Sequence, residues 1–316
     1  MVVVEAKNLH YSLPVPSVQE VAAQQLETVP PRYIRDDTTS SADGFLLVPL
    51  IDMSKLVNSD SQALELQKLH ASCKDWGLFQ LINHGVSCES LKKQVQEFFQ
   101  LPLMEKKRWA QKGGSLEGYG QAFVTSEEQK LDWNDMIFLK ALPVQNRKLE
   151  FWPDNPPNFR ETLQNYSEDI RRIAVSITKF MAVMLELADE DRGFYQGYQE
   201  GNFDVRLNCY PPCPQPEKVI GMMPHADMSG ITLLLDCNDV PGLQVLKDGQ
   251  WIYVKPIDGA IVVNVGQIIQ IMSNEIYKAP EHRAVVNKSK ERLFVVTFCY
   301  PYSSVTVGPA KQLTQT

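Results

Sequence analysis

DVRLNCY (204–210), ITLLLD (231–236), GLQVLKD (242–248), QWIYVKP (250–256), AIVVNVG (260–266), RAVVN (283–287) and RLFVVTFCY (292–300) follow one another in the last third of the chain. Each is short, rich in β-branched and aromatic residues, and bounded by Pro, Gly, Asn or Asp, which is the pattern of closely spaced strands. KDGQ reads as a tight hairpin between Leu246 and Trp251. Strands this close together imply a sandwich or barrel with a jelly-roll-like order.

Upstream the period changes. SDSQALELQKLHASCKDWG places Leu64, Leu66, Leu69 and Cys73 at helical spacing after a capping serine, and Gly77 ends the run. CESLKKQVQEFFQ predicts a second helix that stops at Leu101-Pro102, and a long amphipathic one carries Ile170, Ile173, Ile177, Phe180, Met184 and Leu187 on one stripe. VPLIDMSKL and LFQLINHG add strands, the first turning at Asp52, and a short helix is expected around Val18 to Leu26. The polar run DDTTSSADG reads as an exposed linker. The fold class expected is mainly β with flanking helices, divided as an amino-terminal extension and linker (1–45), a helical region with the first strands (46–200), a β core (201–303) and a short tail (304–316).

The chain has 316 residues, 44% of them hydrophobic and 22% charged, enough apolar material for a sizeable core. A formal charge of -7 argues against nucleic acid or an anionic membrane as partner, since both require a basic face. MVVVEAKNLHYSLPVP has too few apolar residues before Glu5 and Lys7 for a secretion signal, and no stretch approaches the roughly 20 apolar residues of a membrane span. Six cysteines without CxxC pairs suit reduced thiols. A cytoplasmic monomer acting on a small molecule is the expectation.

Five histidines occur, and two of them, His225 in MMPHADMSG and His282 in YKAPEHRAVVN, sit where strand-like segments meet turns. On an extended backbone His225 and Asp227 project to the same side and can reach one ion. Two imidazoles and one carboxylate with open positions form the facial set suited to iron(II), although HxD taken singly is also a common polar turn. Arg292 opens the strand RLFVVTF, where its guanidinium can pair with a carboxylate in a planar fork, and Tyr210 can add a hydroxyl to the same anion. Taken singly, Arg292 also suits a surface charge and Tyr210 a core aromatic.

NCYPPCPQP, PHADMSGITLLL, GLQVLKDGQWIYVKP, VVNVG and EHRAVVN followed by ERL resemble, in order and spacing, the plant 2-oxoglutarate- and iron(II)-dependent dioxygenases. SCKDWGLFQLINHGV, PLMEKKRW and EGYGQAFVTSEEQKLDW extend the likeness over nearly the whole chain and are similar to the norcoclaurine-synthase-like or senescence-related subgroup. The resemblance implies a distorted double-stranded β-helix with iron on His225, Asp227 and His282. It also implies 2-oxoglutarate chelating the metal with its far carboxylate on Arg292 and Tyr210, Asn208 assisting, O2 as oxidant and ascorbate as reductant. The reaction implied is oxidation of a small plant specialised metabolite or hormone-like compound by hydroxylation, demethylation or desaturation. Tyr119, Phe123 and Phe138 are expected at the substrate pocket, whereas His84, Trp76 and Trp133 are expected to be structural.

Three departures from the family pattern stand out. Phe294 replaces the serine of Arg-x-Ser; NVGQIIQ carries Gln267 and Gln270 where the family has acidic residues; and the chain ends at Thr316, before the family's C-terminal helical segment. Phe294 and the short tail support an alternative, a metal-binding relative that is not an oxygenase, condensing rather than oxidising, or an inactive truncated homologue. Hydrolytic zinc chemistry is disfavoured because no glutamate sits beside the histidines as HExxH would place it.

Overall fold

The computed structural model describes residues 12–35, 45–46, 48–113, 115–121, 123–188 and 193–314; the extreme amino terminus and the run DDTTSSADG lie outside the described residues. Eight strands form the larger sheet, in the order β2 (Leu50–Asp52), β3 (Leu78–Ile82), β11 (Ile261–Val265), β8 (Ile231–Asp236), β13 (Arg292–Tyr300), β6 (Asn202–Tyr210), β5 (Asp135–Leu142) and β4 (Gly118–Gly120). The smaller sheet runs β1 (Phe45–Leu46), β10 (Gln250–Val254), β9 (Leu243–Lys247), β12 (His282–Ala284), β7 (Met222–His225). The expected hairpin is present: Lys247 pairs with Gln250 across Asp248 and Gly249, whose φ angles of 50° and 77° suit a two-residue turn of the right twist.

The larger sheet is buried on both faces. On one face Leu233, Leu235, Val263, Val295 and Leu207 pack with α3 (Ser59–Asp75), α4 (Glu89–Gln100) and α6 (Phe159–Met184). On the other, Leu234, Tyr210, Phe294 and Val296 pack with Leu243, Val245, Val254 and Ala284 of the smaller sheet. The fold is therefore two facing sheets with helices against the outside of the larger, the double-stranded β-helix expected. Alternation sorts β13: Arg292, Phe294, Val296 and Phe298 point inward, and Leu293, Val295 and Cys299 point to the helices.

Several elements differ from expectation. The first helix, α1, covers only Val18–Ala23, and its neighbours are part of the packed fold: Val18, Val21, Val29 and Tyr33 are buried in the inner core, so residues 12–35 act as an integral strap. Asp135 fastens that strap, its carboxylate accepting hydrogen bonds from Val18 N (2.8 Å), Gln19 N (2.9 Å) and the Ser17 hydroxyl (2.7 Å). β4 and β5 were not anticipated as strands. The stripe of α6 also drifts: Met181 and Leu185 take the buried positions at its end, and Phe180 and Met184 lie at the margin. Among the described residues no helix is long and apolar enough to cross a membrane.

Candidate metal centre and adjoining chamber

His225 ends β7 and His282 opens β12, and the two are direct cross-strand partners, which brings their ring centroids to 4.4 Å. Asp227 follows in the turn, where its carbonyl accepts from Gln267 N (2.8 Å) at the start of α8 (Gln267–Met272). His225 Nε2 lies 3.7 Å from Asp227 Oδ1, and His282 Nε2 lies 3.7 Å from Asp227 Oδ2. One ligand atom from each of the three falls within 4.8 Å of the others, a set able to hold a metal ion.

Each ring is fixed from behind. His225 Nδ1 donates to Met223 O (2.8 Å) and His282 Nδ1 to Pro280 O (3.1 Å), so both Nε2 lone pairs face the shared centre. Burial, and then the neighbouring His282, push the His225 imidazole down to about 4 against the opposing pull of Asp227. It is therefore neutral near pH 7, the form that ligates. Asn264 on β11 completes the frame, Nδ2 donating to Asp227 Oδ2 (3.2 Å) and standing 3.5 Å from His282 Nε2. The motif VVNVG contained this residue without revealing its role. The available signal was an amide in an otherwise apolar strand, which burial obliges to find a polar partner.

Arg292 and Tyr210 are cross-strand partners on β13 and β6, and both line the small cavity beside the three ligands. Arg292 is engaged already: Nε donates to Val240 O (2.9 Å) and Nη2 to Asp236 Oδ2 (3.3 Å). Phe294 faces the same side as Arg292, as alternation requires, with its ring 4.4 Å from the guanidinium carbon and stacked parallel on Tyr210 at 5.4 Å. Asn208 is fully buried and committed to Arg206, accepting from its Nε at Oδ1 (2.7 Å) and donating to its carbonyl (3.3 Å). It orients Arg206 and does not line the cavity. Arg206 was not singled out in the sequence, because an arginine in DVRLNCY looks like any strand-edge charge; it is buried and lines both this cavity and the chamber next to it.

That chamber, of ≈ 580 Å³, opens directly onto His225 and Asp227 and is walled by Phe123, Phe138, Phe298, Tyr300, Met223 and Met228. Phe123 and Phe138 thus lie where a substrate pocket was expected. Tyr119 does not: β4 turns it into the core beside Phe98, with its hydroxyl 3.3 Å from the buried Asp135 carboxylate. His84 is structural, Nε2 donating to Gly259 O (2.8 Å) and Nδ1 accepting from Val86 N (3.1 Å). Trp133 is buried with its indole on Pro211 O (3.0 Å), and Trp76 is half-buried under Lys247. Of the glutamine departures, Gln270 supplies an acceptor to Ala279 N (2.6 Å), a role its amide oxygen fills as well as a carboxylate.

Two family models match the chain: the 2OG-Fe(II) oxygenase superfamily over residues 202–301, and the non-haem dioxygenase in morphine synthesis N-terminal over residues 48–155. The chain is 44% identical to Protein SRG1 of Arabidopsis thaliana over 313 residues, covering 96% of this chain and 87% of that one. It is 43% identical to oxoglutarate-dependent flavonoid 7-O-demethylase 1 of Ocimum basilicum, covering 97% and 83%, and 44% identical to S-norcoclaurine synthase 1 of Coptis japonica, covering 96% and 87%. Among solved structures, JOX2 in complex with 2OG, Fe and JA superposes with a TM-score of 0.87 at 34% identity, over 97% of this chain and 89% of that one. With three residues able to hold a metal ion in a double-stranded β-helix and these relatives along almost its whole length, the chain belongs to the 2-oxoglutarate- and iron(II)-dependent oxygenase superfamily.

Proposed function

We propose that this protein oxidises a small, largely apolar aromatic metabolite at an iron(II) held by His225, Asp227 and His282, by hydroxylation, demethylation or desaturation. The observation that carries the reading is the convergence of the three ligand atoms at the inner end of an aromatic- and methionine-lined chamber. Its size of ≈ 580 Å³ falls within the usual range for small-molecule sites. Relatives named as demethylases of a flavonoid and of codeine support an aromatic substrate.

The donor set fits iron. Two imidazoles and one carboxylate are each held from behind, and the uncovered side faces the chamber. Bound there, iron supplies activation of O2. The protein's residues do the rest: Asp227 balances charge, Met223 O and Pro280 O fix the tautomers, and the aromatic and methionine walls orient the C–H bond presented to the metal. The far carboxylate of 2-oxoglutarate, the family's cosubstrate, would meet an Arg292 already paired with Asp236 and covered by the Phe294 ring.

The division at about residue 200 is supported by the two family models, which fall on either side of it. A reducing, cytoplasmic setting is supported by six free thiols, and a small-molecule substrate by the chamber; we read the protein as a monomer. The test is a metal assay together with incubation of the iron-loaded protein with ascorbate, a 2-oxo acid and a panel of phenols and aryl methyl ethers. Mass spectrometry should show a product gaining one oxygen, losing one methylene or losing two hydrogens. Bound iron with condensation products and no oxidised product would favour the non-oxygenase alternative.

A further inference from the structure

The cavity beside the metal ligands is lined by Arg206, Tyr210, Leu243, Arg292 and Phe294 and measures ≈ 30 Å³, room for about two waters. What fills it is the protein itself. The Arg292 guanidinium is paired with Asp236, with 5% and 19% of the two side chains exposed, so its charge is already balanced by an internal carboxylate. It is locked in that lane: a Cβ on Gly242 would come within 2.6 Å of Arg292 Cδ, so glycine there lets the arginine lie against the strand. The Phe294 ring then covers the guanidinium at 4.4 Å and stacks on the fully buried Tyr210.

A dicarboxylate entering this place must compete for Arg292 with Asp236, which reaches the guanidinium from outside the cavity, and must displace the Phe294 ring that covers it. Each requirement disfavours a charged tail. A short uncharged tail meets none of these obstacles: the ring gives it an apolar surface, and the Arg292–Asp236 pair stays intact. We propose that this site selects a 2-oxo acid with a short, uncharged tail over the dicarboxylate 2-oxoglutarate, and that Phe294 and Asp236 set the preference. The proposal rests on the metal reading of His225, Asp227 and His282, which is measured separately.

The experiment uses the full chain loaded anaerobically with iron(II). Metal content is measured first, and the visible charge-transfer band of an iron-chelated 2-oxo acid is then followed during titration with 2-oxobutyrate, pyruvate or 2-oxoglutarate. Calorimetry on the manganese-loaded protein supplies a second readout. Wild type is expected to saturate with 2-oxobutyrate at a concentration about tenfold below that for 2-oxoglutarate. Phe294→Ser and Asp236→Asn should each strengthen 2-oxoglutarate by about tenfold, and the double variant should reverse the order. Asp236→Asn keeps shape and the acceptors for Asn238 N and Asp239 N, and so carries the test if Phe294→Ser fails to fold. Iron bound with 2-oxoglutarate preferred by wild type, or an order unchanged in the variants, overturns the proposal alone. Failure to bind iron overturns the metal reading and the proposal with it.

Discussion

At the scale of single residues the site divides into what is local and what is not. His225 and Asp227 are two apart, and extended geometry alone puts them on one side. That His282 is the cross-strand partner of His225 depends on strand register, which no local pattern in YKAPEHRAVVN states; its place where a strand-like segment meets a turn only marked it as a candidate. Asn264 escaped notice for the same reason, because its two contacts, Asp227 and His282, come from a distant turn and another strand. Ala substitution of His225, Asp227 or His282 is expected to abolish stoichiometric iron, as each removes a ligand and Asp227→Ala also removes the charge that balances the metal. Asn264→Ala should keep the metal but weaken it about ten- to a hundredfold, the usual effect of losing a group that orients ligands. Iron titration of purified variants with unchanged circular dichroism checks both. Full iron in any triad variant removes that residue from the set, and wild-type affinity in Asn264→Ala shows that Asp227 is held by other means.

At the scale of elements, six of the seven carboxy-terminal runs became strands because each is too short for a helix and fenced by turn formers, which is local information, whereas RAVVN joins a strand only through Arg283 and Ala284. β5 was missed because DMIFLKAL follows a polar stretch and has no turn former close behind it except Pro143. Its pairing with β6 from Asp135↔Cys209 onward decides the matter from a distance. The helical stripe of α6 was legible over its middle, where Ile170, Ile173 and Ile177 are buried, and lost phase towards Met184 as the last turns reach the edge of the sheet. Two substitutions separate these regions. Ile177→Ala, at a fully buried position, should cost about 2–5 kcal/mol in urea unfolding, whereas Phe180→Ala at the half-buried margin should cost clearly less. Both should bind iron as wild type does, because α6 lies on the face of the larger sheet opposite the metal. Equal losses would mean that Phe180 bears as much of the packing as the central stripe.

At the scale of the whole molecule, one face of the larger sheet serves stability and the other serves chemistry, and the boundary between them carries a cost that pH can reveal. Asp204 lies on β6 between Lys140 and Phe298 and lines the chamber. Burial raises its carboxyl from 3.8 to about 6; Lys140 opposes the shift and Glu117 adds to it. A raised acid binds its proton more tightly in the folded than in the unfolded chain. Between about pH 4 and 6 the unfolded chain sheds that proton first, so this group's contribution to stability falls as pH rises and levels off, as a penalty, above the folded value. Two pH units at 1.36 kcal/mol each set a ceiling of about 3 kcal/mol, and residual exposure reduces it to about 1–3 kcal/mol. Asp204→Asn removes the ionisation while keeping the shape, and Lys140, being exposed, loses little by it. The variant should therefore unfold a few degrees above wild type at pH 7.5 and together with it near pH 4, as followed by thermal denaturation at both values. A gain of the same size at both pH values would assign the effect to packing, and a loss at pH 7.5 would show that the carboxylate is held ionised by Lys140 at a net benefit to the fold.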